Sequence, residues 1–389
     1  MRWGAGFVSG DMTRTAVLAL LARRGPLSRA QIAELLELSP ATITQGTRRL
    51  LAEGLLVEEA PRPSQGGGRP SIPLALVPES AHTIGIQVAH EHVTGVTCRL
   101  DAEVVHSFRH AFDPAAPDAV QTLITLIRTE IDEARRRGLP LAGVGVAVPG
   151  IVDPETGTLR MSVRLGWNGL PLAARLREAL GVPVFVDNDI SAVTAAERLY
   201  GPGADEADFL LAAIGQGIGL GMVLDGAPYR GALGAAGEFG HMPVQPDGPV
   251  CVCGNRGCLE SLVSTEALLR RACEAGILST ASDLDDLGTA ARDGDEEAVA
   301  LLQTAATLLG RALAGVVNLL GPRSVVVIGE ITALWDLLGE PLHAVLLDHL
   351  LPCVRDTTIE VRPWDDELIA ASAARVVLAA PLAAPRQRG

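Results

Sequence analysis

At 389 residues the chain exceeds one ordinary domain, and 48% hydrophobic residues are enough for more than one buried core, so two or three domains are expected. A formal net charge of −14 excludes a chain that meets nucleic acid along its whole length. The charge is uneven, however: residues 1–78 carry nine arginines against six acids and the remainder 23 against 40, which leaves a small basic head on an acidic body.

From Asp11 to Arg24 the apolar residues Val17, Leu18, Leu20 and Leu21 recur at helical spacing, and Gly25-Pro26 ends the segment. Ser28 and Gln31 have the spacing of a capping box, opening a second helix that reaches about Leu36. After a short turn, Ser39 is an N-cap and Pro40 a first helical residue for a third helix through about Leu51. Two short helices joined by a tight turn make a helix-turn-helix. Ile43, Thr47 and Leu50 share the inner face of the third helix, leaving Thr44, Gln45, Arg48 and Arg49 on or beside the outer one.

Gly54–Glu58 and Ile72–Leu76 read as two strands around the flexible turn Ser64–Pro70, a hairpin wing with Arg69 at its tip. In a winged helix-turn-helix the third helix enters the major groove, where Gln suits adenine and Arg suits guanine or phosphate. The candidate contacts to double-stranded DNA are Ser39, Thr42, Thr44, Gln45, Arg48, Arg49 and Arg69. The competing reading is a solvated polar face on a small helical domain.

Beyond His82 the pattern becomes strands alternating with helices: a hairpin at Thr83–Val88 and Val93–Leu100, a helix at Ala119–Gly138, a strand at Leu141–Val148 and another at Val182–Val186. The last strand delivers Asp187-Asn188-Asp189 at its C-terminal end, where α/β sheets commonly place functional side chains, and a helix at Ile190–Tyr200 follows. Ser279–Glu297 is acidic and expected to be a solvated helix-loop region. No internal repeat is visible.

In the stretch Gly234–Glu260, Cys251, Cys253 and Cys258 fall within eight residues and His241 lies ten before the first. Three thiolates and an imidazole complete a tetrahedral zinc site with no open position, a structural centre, and Gly254 and Gly257 permit the turns it needs. Glu238 and Glu260 flank the ligands, so a zinc clip would hold two acids in place. Cys98, Cys273 and Cys353 are widely separated and expected to be buried hydrophobes. With no hydrophobic leader, no apolar run near the ~20 residues of a membrane span and no disulfide framework, a cytoplasmic protein without membrane contact is expected.

Glu-x-Gly-His at Glu238–His241 followed by Cys-x-Cys-Gly-x-x-Gly-Cys-x-Glu at Cys251–Glu260 resembles the signature of the ROK family of sugar kinases and sugar-responsive repressors. The order Leu-Ser-Arg-x-x-Ile-Ala, Leu-Ser-x-x-Thr and Gly-Gly-Arg-Pro in residues 27–70 is similar to the winged head of its repressors, which the kinases lack. The resemblance implies an α/β fold in which residues 1–78 form the winged helix-turn-helix and 79–389 a two-lobed, actin/hexokinase-like body for ligand binding and dimerisation. It also implies a sugar site of Asn188, Asp189, Glu238, His241 and Glu260, with His241 shared by the zinc and Asp189 standing where kinases keep their general base.

Three departures point away from nucleotide chemistry. The first phosphate loop falls at Gln87–Glu91 without the Asp, Gly and Thr of the family; the second, Gly215–Gly221, carries Gln216 where Thr is usual; and the expected Gly-Gly is Gly329-Glu330. Arg164 replaces a sugar-contacting Asn, which suits either an anionic sugar or an ion pair with an inner acid such as Glu238. The expectation is therefore a carbohydrate-released repressor, a homodimer or homotetramer on operator DNA, with no catalytic residue in use and Asp189 a vestigial base. The rivals are an active ATP-dependent sugar kinase with a DNA-binding head, and a body that binds a protein partner and no sugar.

Overall fold

The helix Pro40–Ala52 starts where its residues dictate: Ser39 accepts the backbone N–H of Thr42 at 3.1 Å, and Pro40 fills the first turn with its fixed φ. The capping box also forms, Gln31 donating its N–H to Ser28 Oγ while Ser28 donates its own to Gln31 Oε1 at 2.9 Å. This computed structural model describes residues 12–63, 70–363, 365 and 367–379. The chain divides into two compact units, one of Met1–Ala207 with Asp225–Pro228 and Asp366–Gly389, the other of Asp208–Leu224 and Tyr229–Asp365.

In the first unit the helices Met12–Arg24, Arg29–Leu35 and Pro40–Ala52 pack beside a three-stranded antiparallel sheet with Pro73–Leu76 at its centre, between Leu56–Glu58 and Leu27–Ser28. The wing strands were legible; the pairing of Leu27 with Leu74 was hidden by the capping signal that overlaps it. Every residue from Ala16 to Leu21 is buried. The reason is that Met12–Arg24 has neighbours on two sides: Pro40–Ala52 and Pro73–Leu76 within the head, and the helices Asp189–Tyr200 and Leu368–Ala379 beyond it. Burying each of its leucines fully contributes about 1.5–3 kcal/mol.

The rest of this unit is a five-stranded sheet in the order Val184–Asn188, Leu141–Val148, His82–Val88, His92–Arg99, Val104–Ala111, the first three mutually parallel and the last two added antiparallel. Val104–Ala111 gave no strand signal because polar residues occupy both faces of this edge strand, His106 and His110 on the half-buried one and Ser107 and Arg109 on the exposed one. The C-terminal helix lies almost against the sheet backbone: a Cβ on Gly85 would stand 1.9 Å from the carbonyl oxygen of Ala370, and Thr83 donates its hydroxyl to Ala374 O at 3.0 Å. Only glycine allows that approach.

The second unit repeats the topology: Thr358–Val361, Ser324–Ile328 and Phe209–Ile214 run parallel and Ile218–Leu224 pairs antiparallel with the last. The repeat lies in strand order and not in residue identity, which is why the sequence hid it. Helix Glu296–Leu320 is, among the described residues, the one helix long and apolar enough to cross a membrane; 56% of its apolar window is buried inside the protein, where Leu301, Leu302, Leu309, Leu313 and Val317 join the core. The acidic region 279–297 is a helix between loops, as expected: Asp283 and Asp286 cap the helix Leu284–Arg292, which buries Leu287 and Ala291 while the acids stay exposed. Of the three isolated cysteines, Cys98 is buried, but Cys273 is half-buried against the Ser279 carbonyl at 3.2 Å and Cys353 is exposed. The expectation of three buried thiols fails for those two: both lie on helical elements, Thr265–Glu274 and the short Pro352–Val354, whereas Cys98 sits in a strand with sheet neighbours on both sides.

Candidate metal centre, effector groups and nucleic-acid face

Two short antiparallel bridges, Pro243 with Cys258 and Val250 with Arg256, fold Gly234–Glu260 back on itself. Gly254 and Gly257 both adopt positive φ, +90° and +67°, and a Cβ at Gly257 would stand 1.7 Å from the Gln245 carbonyl oxygen. The result gathers one donor atom each from His241, Cys251, Cys253 and Cys258 within 4.8 Å of one another. Cys253 and Cys258 sulfurs are 3.8 Å apart, and Cys251 Sγ is 3.5 Å from His241 Nδ1. A tetrahedron with zinc–sulfur bonds of about 2.3 Å and a zinc–nitrogen bond of about 2.0–2.1 Å has edges of about 3.8 Å between sulfurs and about 3.5 Å from sulfur to nitrogen. The donor set therefore fits zinc in type, number and spacing.

The three thiols differ in their electrostatics, Cys251 and Cys258 being raised by burial and Cys253 lowered. Burial pushes the Cys258 thiol up to about 12, with Cys253 and Cys251 adding to the rise, whereas Cys253 is held below its ordinary value by the Asn255 backbone and its neighbouring thiols in spite of burial. At neutral pH Cys258 keeps its proton unless a cation draws it off.

With Nδ1 turned to the cysteines, His241 presents Nε2 to Glu238 Oε2 at 3.7 Å. Burial lifts the Glu238 carboxyl above its ordinary range; His241 opposes the shift and the charge of Glu260 adds to it. Glu260 is 8% exposed, and its Oε2 accepts the Ile218 N–H at 2.8 Å. The segment Gly234–Glu260 thus sets Glu238 beside His241, with Glu260 close enough to act on the Glu238 carboxyl.

Ile218 follows the tight turn Gly215–Gly217, in which Gly215 donates to Gly217 O at 3.0 Å. On the other side of this turn Glu330 accepts the Thr265 hydroxyl at 2.8 Å, its Oε2 3.3 Å from where a Gly215 Cβ would stand. The loop between Ile214 and Ile218 is bracketed by two carboxylates. In the first unit Gln87 and Val88 end a strand, paired with Thr94 and Val93, and residues 89–91 make a close hairpin turn, Ala89 donating to His92 O at 2.9 Å.

Asn188 and Asp189 also lie in the first unit, and Asn188 has a structural task that sequence reasoning missed. It is the N-cap of Asp189–Tyr200, so the helix begins one residue earlier than expected; its Oδ1 accepts Ser191 N–H at 3.0 Å and its Nδ2 donates to Gly150 O at 2.9 Å. Three adjacent capping residues, Asp187-Asn188-Asp189, concealed which one caps. Arg164 is half-buried in the turn between the strands Leu159–Ser162 and Trp167–Leu170.

On the head, Thr47 is buried and donates to Ile43 O at 2.7 Å, while Gln45 and Arg48 are exposed and make no ion pair with a described residue. The other outer residues are engaged. Ser39 and Thr42 share the cap, their hydroxyls 2.8 Å apart; Thr44 returns its hydroxyl to Pro40 O at 2.7 Å; Arg49 pairs with Glu53 at 3.0 Å. Arg69 lies outside the described residues.

The chain matches the ROK family over residues 83–372 and the MarR family over residues 11–69. It is 30% identical over 330 residues to the N-acetylglucosamine repressor of Escherichia coli O157:H7, covering 83% of this chain and 81% of that one. The crystal structure of a ROK family transcriptional regulator, a homolog of the E. coli MLC protein, superposes with a TM-score of 0.81 at 27% identity over 96% of this chain and 97% of its own. A ROK family glucokinase from Streptomyces griseus, solved with glucose and AMPPNP, superposes at 0.65 and 25% identity over 76% of this chain and 98% of its own. Regulator coverage extends through the head, and kinase coverage does not reach the whole chain. With a family match spanning most of its length, this protein belongs to the ROK family.

Proposed function

We propose that this protein is a carbohydrate-responsive DNA-binding transcriptional regulator, a repressor of carbohydrate-utilisation genes that a sugar or sugar derivative releases from operator DNA. The observation that carries the reading is the near-complete superposition on a ROK transcriptional regulator, head included, with Gln45 and Arg48 exposed on the helix that a winged helix-turn-helix lays in the major groove. In this reading residues 1–78 bind DNA and 79–389 bind the effector and a second copy of the chain. Asn188, Asp189, Glu238, His241 and Glu260 hold sugar hydroxyls; one donor bond to Gly150 leaves the two-hydrogen amide of Asn188 a further N–H to give. Zinc at His241, Cys251, Cys253 and Cys258 is structural, and a repressor of this kind works in the cytoplasm.

An active sugar kinase is the second reading, favoured by Asp189 at the end of the strand Val184–Asn188. Against it stands Glu330, whose carboxylate lies beside the glycine turn where a nucleotide's phosphates would need cations or backbone N–H groups. The test is to select duplexes from a random library with the full-length protein, then add N-acetylhexosamines, hexoses, pentoses and their acids or phosphates one at a time. A selected inverted repeat that one sugar releases supports the repressor; ATP-dependent phosphorylation of that sugar at enzyme-like rates supports the kinase.

A further inference from the structure

The helix Asp189–Tyr200 touches two sites of interest at its two ends. Its first turn holds Asn188 and Asp189, with Asn188 tied to Gly150 and to Ser191. Some 18 Å further along, at about 1.5 Å per residue, its last turn meets the DNA-binding head, where Leu199 is buried against Ala19 and Tyr200 packs on both. The chain then turns through Pro202–Asp205, and Asp205 accepts Arg24 Nη2 at 2.8 Å and Arg23 Nη1 at 3.3 Å, both from the end of the head's first helix. Buried Arg198 braces this turn, donating to the carbonyls of Gly226 at 3.0 Å and of Ala204.

We propose that Asp189–Tyr200, closed by the Arg23/Arg24–Asp205 clasp, is the positioning rod that transmits a displacement at Asn188 and Asp189 to the orientation of the DNA-binding head. Ion pairs as exposed as that of Arg24 add little stability. What this clasp fixes is register, because two cations on one helix converge on one carboxylate. A close-packed helix moves as a body and does not absorb a shift locally. Room for movement exists beside it: a cavity of about 270 Å³ is bordered by Ala22 and Arg23 of the head, Val193 and Tyr200 of the rod, and Ser372 and Arg375 of the C-terminal helix. The rod deepens the proposed effector reading and rests on it for what pushes the first turn, but its mechanics do not require DNA.

The test uses full-length protein with Asn188→Asp, which keeps an N-cap acceptor but removes the Nδ2 bond to Gly150, with Asp205→Ala, and with both together. Asp132→Ala, which removes an exposed pair with Arg135 at 3.2 Å on another helix, is the control. Hydrogen exchange is followed in peptides covering Met12–Arg24, and affinity is measured for a duplex selected from a random library. We expect each variant, and not the control, to speed exchange in Met12–Arg24, and the two effects on duplex affinity to depart from additivity by about threefold or more, as contacts coupled through a backbone shift do. Unchanged exchange in Asn188→Asp, or additive affinities, would overturn the rod. Failure to select any duplex would instead refute the DNA-binding reading, leaving the exchange result to judge the rod alone.

Discussion

The backbone N–H of Ile218 donates to Glu260 Oε2 at 2.8 Å, which makes an acid of the proposed effector site also the anchor of the neighbouring glycine turn. Truncating Glu260 therefore removes two things at once. Glu260→Ala is expected to cost about 1–3 kcal/mol of stability, the penalty for leaving a buried N–H without its acceptor. Glu260→Gln keeps an acceptor and should melt close to the parent while losing the response to sugar. Thermal melting and sugar titration of the two variants check this; a fully stable Glu260→Ala protein would show that the turn does not need its anchor.

One zinc per chain is expected by elemental analysis. While metal is bound, a thiol reagent should react readily with exposed Cys353, and chelation should expose Cys251, Cys253 and Cys258 to it with a fall in melting temperature, since metal affinity at such a site is coupled to folding. Cys253→Ala should reproduce the lower melting temperature without chelator. Well under one equivalent of zinc in native protein would show that these four donors hold no structural zinc.

The bond from Thr265 to Glu330 predicts weak or absent nucleotide binding. A carboxylate beside Gly215 repels the polyphosphate that a kinase must hold, and Gln87–Glu91 adds another acid at the first loop. Mixing protein, Mg-ATP and the responding sugar should give no measurable phosphosugar. Turnover near ~10 s⁻¹, the median for enzymes, that disappeared in Asp189→Asn would identify a kinase with Asp189 as its base.

Local chemistry was readable in the sequence wherever one short stretch held all of it. Ser39-Pro40 announced its helix, Ser28 and Gln31 their box, and the four metal ligands their centre, because 18 residues contain the whole donor set. Long-range contacts were not readable: Arg24 and Asp205 are separated by 181 residues, and nothing near either one signals the other. The same holds for Thr265, whose hydroxyl gave no hint of Glu330 until the fold joined them. Cys353 escaped because burial of a single small side chain depends on what the rest of the chain places over it.

The engaged and unengaged residues of Pro40–Ala52 should separate in binding assays. Arg48→Ala is expected to cost about 1–3 kcal/mol and to relax one base position of the selected duplex, because an exposed arginine with no ion pair among the described residues is available to a base edge. Arg49, held by Glu53, should behave as a phosphate contact, so that Arg49→Ala weakens all duplexes alike and reduces the salt dependence. Selecting duplexes anew with each variant checks the assignment, and a base preference altered by Arg49→Ala but not by Arg48→Ala would reverse it.

If sugar release and DNA binding share one equilibrium, the coupling must be reciprocal. A sugar that weakens operator binding by some factor is itself weakened by operator through the same factor, with a coupling of about 1–3 kcal/mol for effects of this class. The measurement is the dissociation constant of the responding sugar with the full-length protein, free and saturated with the selected duplex. A ligand with equal affinity for both states shifts nothing, so equal constants would mean that the sugar acts by competing with DNA at the head or on some other component of the assay. Repeating both titrations with Asp189→Ala locates the sensing site: a factor that collapses towards one ties it to the end of the rod, whereas an undiminished factor places it away from Asp189.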